Sequence, residues 1–120
     1  MINSVNIKAV GDICPGDKAV VGLGVLHKCK KFGNSYPLEQ IRGYFNEADL
    51  IIGNLEGLLS SSVEQDRGDN KVFCGRPGFS KALADTGFNV LNVANNHILE
   101  HGPEIFSETV GYLKESGINV

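Results

Sequence analysis

Three short apolar runs in this chain each end in polar residues that can bind ligands or transfer protons. Residues 5–10 lead into Gly11-Asp12, residues 50–53 into Asn54-Leu55-Glu56, and residues 88–94 into Asn95-Asn96-His97. Runs rich in valine, leucine and isoleucine predict buried strands, and open α/β sheets bind ligands beyond the carboxyl ends of their strands. The pattern therefore predicts a site at one sheet edge, built from an acid, an amide with an acid, and amides with an imidazole.

Helical patterns are expected between these strands. After Ser35 and Pro37, which can begin a helix, apolar residues recur at helical spacing, namely Leu38, Ile41 and Phe45. Residues 60–71 are polar and without a period, and are predicted to form an exposed loop. A short helix is predicted to follow Pro77 and to end at Gly87.

The last helix has the clearest pattern. It is predicted to begin at Pro103, with Glu104 in its first turn, and to end before Gly117. Residues 118–120 are expected to begin another strand. Strands and helices that alternate with short links predict βαβ units and a mostly parallel sheet with flanking helices, which is the α/β class.

Composition narrows the class of protein. With 120 residues, 42% of them hydrophobic, the chain can form one domain that buries roughly 65% of its unfolded surface. A net charge of −3 argues against nucleic-acid binding, and Lys28, Lys30 and Lys31 are interpreted as a solvated face. No apolar run approaches the ~20 residues of a membrane span, and residues 1–4 do not resemble a signal peptide, so a cytoplasmic location is expected.

The cysteines argue against a disulfide framework or a zinc knuckle. Cys14, Cys29 and Cys74 are odd in number and form no C-x-x-C pair, which is typical of reduced thiols. We expect Cys29 and Cys74 to be buried or half-buried free cysteines.

The polar strand ends belong to longer motifs that resemble a known family. These motifs are Gly11-Asp12-Ile13, residues 48–57 with Asn54-Leu55-Glu56-Gly57, residues 87–97 ending in Ala94-Asn95-Asn96-His97, and Gly102 with the helix that leads to Gly117. In this order they resemble the CapA family of bacterial capsule (poly-gamma-glutamate) synthesis proteins, relatives of the calcineurin-like metallophosphoesterases. The resemblance covers nearly the whole chain, from about residue 7 to residue 120.

The resemblance implies a four-layer αββα sandwich, of which residues 1–120 would form a single domain, the N-terminal half. The family's later histidine-rich motifs, which would complete its metal site, have no counterpart before Val120, so the domain is expected to be incomplete at its C-terminus. A half sandwich leaves one sheet face uncovered, which predicts self-association.

The resemblance also implies roles for individual residues. Asp12 would bind a first metal ion, Glu56 would take the place of the bridging carboxylate, and Asn96 would bind a second metal ion. His97 would be the general acid toward the leaving group. Three further residues would contact the ligands or the substrate, with Glu100 orienting His97: Asn54, Asn95 and Glu100. Carboxylate and amide oxygens favour Mn²⁺ or Mg²⁺, with Zn²⁺ or iron as the other candidates.

Each residue has a simpler alternative. Asp12 could cap a turn, Glu56 could be a solvated loop acid, and the Asn95-Asn96 pair could satisfy backbone groups in a turn. His97 alone would more often be structural. Metallophosphoesterases carry a histidine where Cys14 stands, so Cys14 could be a soft ligand, although a small apolar filler is the favoured interpretation.

Two functions remain open. The first is a CapA-like protein with a metal-dependent phosphoesterase site, acting on a phosphate ester or a polyglutamate-related substrate, in a capsule-synthesis complex. The second is a non-catalytic accessory or binding domain that keeps the fold without a complete metal site.

Overall fold

The computed structural model of the chain describes residues 4–17, 24–62 and 73–120. Within these ranges the strands and helices alternate in the order expected for βαβ units. The strands are β1 (Ile7–Ile13), β2 (Leu50–Leu55), β3 (Leu58–Leu59), β4 (Cys74–Gly75) and β5 (Val90–Asn92). The helices are α1 (Val25–Phe32), α2 (Gly78–Thr86) and α3 (Pro103–Glu115).

The main sheet has the strand order β1-β2-β5, and both of its ladders are parallel. The strand predicted at residues 118–120 is reduced to one parallel bridge between Val90 and Asn119. A second, two-stranded sheet joins β3 to β4, also in parallel. The predicted α/β class is confirmed, and this architecture is consistent with an N-terminal part of a metallophosphatase-like fold.

One face of the main sheet carries the hydrophobic core. Along β2, the buried residues Ile51, Gly53 and Leu55 alternate with half-buried ones, as the two-residue period of a strand requires. The core on this face includes Leu91 of β5, Phe88 of the link before β5, and three residues of α2 and α3, namely Phe79, Leu83 and Leu113. The rings of Phe45 and Phe88 meet edge to face at 5.2 Å. This packing fixes the strands whose ends carry the candidate site.

The opposite face of the sheet is more open. Ile7 on β1 is 55% exposed, Ala9 is exposed, and Leu50, Ile52 and Val90 are only half-buried. Val5 and Val10, near or on the same edge strand, are also exposed. The core therefore lies on one side of the sheet, and apolar side chains reach solvent on the other.

The prediction of one continuous helix around Leu38 and Phe45 is wrong. The chain makes two separate 3₁₀ turns there, Tyr36–Leu38 and Arg42–Phe45, which bury Leu38 and Phe45 without a continuous helix. Gly43 lies between these two side chains, and glycine is a poor helix former. The spacing of three to four residues therefore identified buried side chains correctly, but two 3₁₀ turns bury them and not one α-helix.

The helix α1 was not predicted from the sequence. Its sequence, Val25–Phe32, buries only Leu26 and Cys29, which lie three residues apart on one face. Its last turn carries Lys30 and Lys31, whose charges suit a helix C-terminus. With four of eight residues basic or histidine, the apolar signal was too sparse to identify the helix.

The predicted exposed loop at residues 60–71 falls largely outside the described residues, which resume at residue 73. At its start the prediction is wrong: Ser60 is fully buried, its N–H donates to Gly75 O at 3.0 Å, and its hydroxyl donates to Glu108 Oε2 at 2.6 Å. Hydrogen bonds to β4 and α3 satisfy its polar groups, so burial is not costly.

In the described part of the chain, none of the helices has the length and apolar character that crossing a membrane requires.

Candidate functional site

A row of three polar residues crosses the main sheet at the carboxyl ends of its strands. Asp12 on β1 is paired in register with Asn54 on β2, and Asn54 is paired with Asn92 on β5. A register shift between Ala9 and Asp12 brings the acid into this row. The parallel topology therefore gathers one polar side chain from each strand at a single edge; the sequence singled out Asp12 and Asn54 of this row, but not Asn92.

The Asn54 amide joins the two candidate carboxylates. Its Nδ2 donates to Asp12 Oδ1 at 2.7 Å and to Glu56 Oε2 at 2.6 Å, so both amide hydrogens are used on acids. Its Oδ1 accepts a hydrogen bond from Asn92 Nδ2 at 2.8 Å. One amide thus holds Asp12 and Glu56 on the same side of the sheet edge, where a shared cation would have to lie.

Asn95 shapes the turn that carries the histidine. Its Nδ2 donates to the carbonyl of Leu55 at 2.8 Å, and its Oδ1 accepts from the His97 backbone N–H at 3.1 Å. The second bond, spanning two residues, is the pattern of an Asx turn. Asn95 therefore ties the turn after β5 to the end of β2, and places His97 beside Glu56.

The His97 imidazole is flanked by carboxylates at both ring nitrogens. Nδ1 lies 2.6 Å from Glu100 Oε1, and Nε2 lies 3.5 Å from Glu56 Oε1. Asn96 Nδ2 is also 3.1 Å from Nε2. The side chains of His97 and Glu56 are only 18% and 17% exposed. The ring can donate a hydrogen bond from Nδ1 to Glu100, it lies near the Glu56 carboxylate, and when neutral it can accept a hydrogen bond at Nε2.

An aromatic ring completes the surroundings of His97. The Phe73 and His97 rings stack with centroids 3.9 Å apart and planes 20° apart. Phe73 and Asn92 are the two contacting residues that the sequence did not indicate. The sequence does contain an indication of Asn92, because it lies two residues after Val90, on the same face of β5, and pairs with Asn54. Phe73 has none, because only tertiary packing brings it to the site.

All seven residues singled out in the sequence lie in one contact network. Asp12, Asn54 and Glu56 are joined by the Asn54 amide, and Glu56, His97 and Glu100 by the imidazole. Asn95 joins the network through backbone and amide bonds, and Asn96 only through the His97 ring. Their chemical roles stay predictions.

The donor chemistry of this network fits a hard divalent cation held by few protein ligands. Carboxylate and amide oxygens are what Mg²⁺ and Mn²⁺ prefer, and both ions commonly keep several waters. Among the described residues, however, no group of three or more histidine, cysteine, aspartate or glutamate side chains is arranged to hold a metal ion. Asp12, Glu56 and an amide oxygen could therefore supply only part of a coordination shell.

Cys14 is a half-buried free cysteine whose pKa is raised. Burial raises its pKa above the ordinary value, the negative charges of Glu56 and Asp17 raise it further, and a hydrogen bond with the Gly16 backbone opposes this. The filler interpretation of Cys14 stays a prediction. Cys29 and Cys74 are buried free cysteines, as expected, and burial raises the pKa of each to about 11.

Comparisons with known proteins agree with the motif order. Residues 6–120 match the family model described as "Bacterial capsule synthesis protein PGA_cap". The chain is 27% identical over 113 residues to the capsule biosynthesis protein CapA of Bacillus anthracis, covering 92% of this chain and 26% of that protein. It is 25% identical over 112 residues to the PGA biosynthesis protein CapA of Bacillus subtilis (strain 168), covering 92% and 28%. The chain thus spans just over a quarter of the length of these relatives.

Proposed function

Because the chain belongs to the bacterial capsule synthesis protein family PGA_cap, we propose that it acts in capsule biosynthesis through a metal-dependent phosphoesterase site at the strand ends. The observation that carries this proposal is the Asn54 amide, which holds two carboxylates together beside a partly buried imidazole.

Asp12 and Glu56 are the proposed protein ligands of Mn²⁺ or Mg²⁺, with the Asn96 amide oxygen as a third; Zn²⁺ and iron are less suited to this oxygen-rich set. When bound, such a cation polarises a phosphoryl oxygen and lowers the pKa of a water. The chain itself positions the carboxylates. The Asn54 amide donates one hydrogen bond to Asp12 and one to Glu56, which keeps both carboxylates oriented toward it.

His97 is the proposed general acid. Its Nε2 faces the carboxylate side of the site, and Glu100 accepts from the opposite nitrogen, which orients the ring. An imidazole whose Nδ1 is held by an acid can release or take up a proton at Nε2 without reorienting. Asn95 acts through the backbone, by keeping the turn against Leu55.

The proposed substrate is a phosphate ester, or a polyglutamate-related compound handled within a capsule-synthesis complex. The name of the Bacillus subtilis relative supports the second, since it refers to PGA biosynthesis. The cytoplasmic location expected from the sequence stays a prediction.

The proposal is tested by hydrolysis of 4-nitrophenyl phosphate with added Mn²⁺. Because few protein ligands are available, we expect a slow but Mn²⁺-dependent rate, which Glu56→Gln lowers to the rate of Mn²⁺ in buffer. Glu39→Gln, at an exposed residue beside a 3₁₀ turn, removes the same charge and should leave the rate unchanged. A Mn²⁺-dependent rate that survives Glu56→Gln contradicts the assigned role.

A non-catalytic accessory domain is the second candidate function. The observation that favours it is the absence, among residues 4–17, 24–62 and 73–120, of three histidine, cysteine or acidic side chains grouped as metal ligands. A parent protein with no Mn²⁺-dependent hydrolysis above buffer would select this candidate over the enzyme.

We also propose that the open sheet face mediates self-association with a second copy of the chain. Exposed apolar side chains at Val5, Ile7 and Val10 give this edge of the sheet an apolar surface, and such surfaces favour association. Sedimentation velocity should show a concentration-dependent species larger than the monomer, which Ile7→Lys diminishes. Phe32→Lys, at an exposed ring on α1, is the control and should leave association unchanged. A monomer at all concentrations contradicts the proposal.

A further inference from the structure

We infer that Phe73 is a positioning residue that fixes the ring plane of His97, an inference that rests on the proposed role of His97 as a proton donor. The rings stack at 3.9 Å with an angle of 20°. Phe73 directly precedes β4 of the second sheet and does not belong to the turn that carries His97. The imidazole is thus held between two separate parts of the chain.

The backbone places Phe73 with little freedom. Leu58 N–H donates to Phe73 O at 2.7 Å, and the β3-β4 ladder begins with the next residue, Cys74. The hydroxyl of Thr109 on α3 accepts from Leu59 N–H at 2.9 Å, which anchors β3 to a helix. Phe73 is therefore fixed at one end of a short ladder that is itself attached to the core.

Glycine at position 57 allows this approach. A Cβ at Gly57 would lie 2.4 Å from Phe73 O, and Gly57 has a φ of +149°, a conformation that residues with side chains rarely adopt. Gly57 directly follows Glu56. The residue after the candidate metal ligand is therefore what lets the Phe73 backbone come close enough for its ring to reach His97.

Stacking supplies a constraint that hydrogen bonding alone does not. Glu100 contacts the His97 ring at Nδ1 and Asn96 contacts it at Nε2, so both hydrogen bonds act at the edge of the ring. The Phe73 ring packs against the face of the imidazole, which restricts tilting of the ring plane that the contacts at the two nitrogens leave possible. Nε2 is then kept toward Asn96 and Glu56, where the proton of the proposed reaction would be transferred.

The contacts also define the expected tautomer of the neutral ring. Asn96 Nδ2 can only donate, so at 3.1 Å it requires Nε2 to be the acceptor, and Nδ1 then carries the proton toward Glu100. If Phe73 holds the ring in this orientation, the Nδ1–H tautomer should dominate, whereas free imidazole populates both.

The test is nuclear magnetic resonance of the metal-free 120-residue chain with the His97 ring neutral. In the parent protein we expect nuclear Overhauser contacts between the Phe73 and His97 rings, upfield-shifted His97 ring protons, and ¹⁵N shifts of the Nδ1–H tautomer. Phe73→Leu should abolish the upfield shift and move the ¹⁵N pattern toward the mixture of free imidazole. Phe73→Tyr, which keeps the ring, should retain the parent pattern.

Two results would overturn the inference: a folded parent protein without ring-to-ring contacts, or a folded Phe73→Leu protein that keeps the parent tautomer pattern. Leu91 methyl shifts report whether each variant is folded, and Phe73→Met replaces Phe73→Leu if the latter is not. No metal or substrate is used, so the outcome is independent of whether the chain hydrolyses phosphate esters.

Discussion

Leu91→Ala is expected to lower the free energy of unfolding by about 2–5 kcal/mol. Leu91 is fully buried at the centre of β5, within the core cluster on the covered face of the sheet. A Cβ added at Gly53 on the neighbouring strand would lie 3.0 Å from Leu91 Cδ2, so the leucine occupies the space that the glycine leaves. Alanine would leave a cavity that neither strand can fill.

Urea unfolding, followed by circular dichroism, measures this loss. Leu99→Ala is the matched control, because Leu99 is 60% exposed and its truncation should change stability by no more than about 0.5 kcal/mol. Equal effects of the two substitutions would contradict the assignment of Leu91 to the core. A loss confined to Leu91→Ala supports it.

The sheet could be predicted because the sequence encodes it locally. The apolar runs around Val90 and Ile51 are too short and too rich in branched residues for helices, and glycine or polar residues follow each of them. The helix α3 was predicted with nearly its observed bounds, since Pro103 begins it and Gly117, with a φ of +84°, follows its end. Such start and stop residues act through their own backbone, so they need no tertiary information.

The backbone conformation of the segment between β1 and β2 could not be predicted. Leu38 and Phe45 were correctly expected to pack inward, but a 3₁₀ turn and an α-helix bury similarly spaced side chains. The helix α1 buries only two residues, and its identity depends on contacts outside its own sequence. In both places the choice between backbones is made by packing, which a periodic pattern does not describe.

The candidate site was predictable where the strands themselves deliver the residue. Asp12 and Asn54 meet because parallel strands place their carboxyl ends at one edge, and this follows from the sequence pattern alone. Phe73 reaches His97 through the β3-β4 ladder, a pairing of two-residue strands that no local signal indicates. Asp12 and Asn54 could therefore be predicted from the sequence, whereas Phe73 could not.

Asp12→Asn is expected to have the largest effect on the proposed metal site. Asp12 is one of two carboxylates joined by the Asn54 amide, and the substitution removes a negative charge while nearly preserving the shape of the side chain. Substitution of residues that merely support metal ligands typically costs 10–100-fold in affinity. Loss of a ligand carboxylate should therefore weaken Mn²⁺ binding by about 100-fold or more.

A Mn²⁺ titration followed by electron paramagnetic resonance tests the central claim most directly, with the parent, Asp12→Asn and Asp85→Asn proteins compared at one pH. Asp85 lies on α2, where it pairs with Lys81 at the surface, so its substitution controls for the lost charge. We predict weak binding by the parent and Asp85→Asn proteins and about 100-fold weaker binding by Asp12→Asn. A parent protein that binds no Mn²⁺, or equal affinities for the parent and Asp12→Asn proteins, would contradict a metal site at the strand ends.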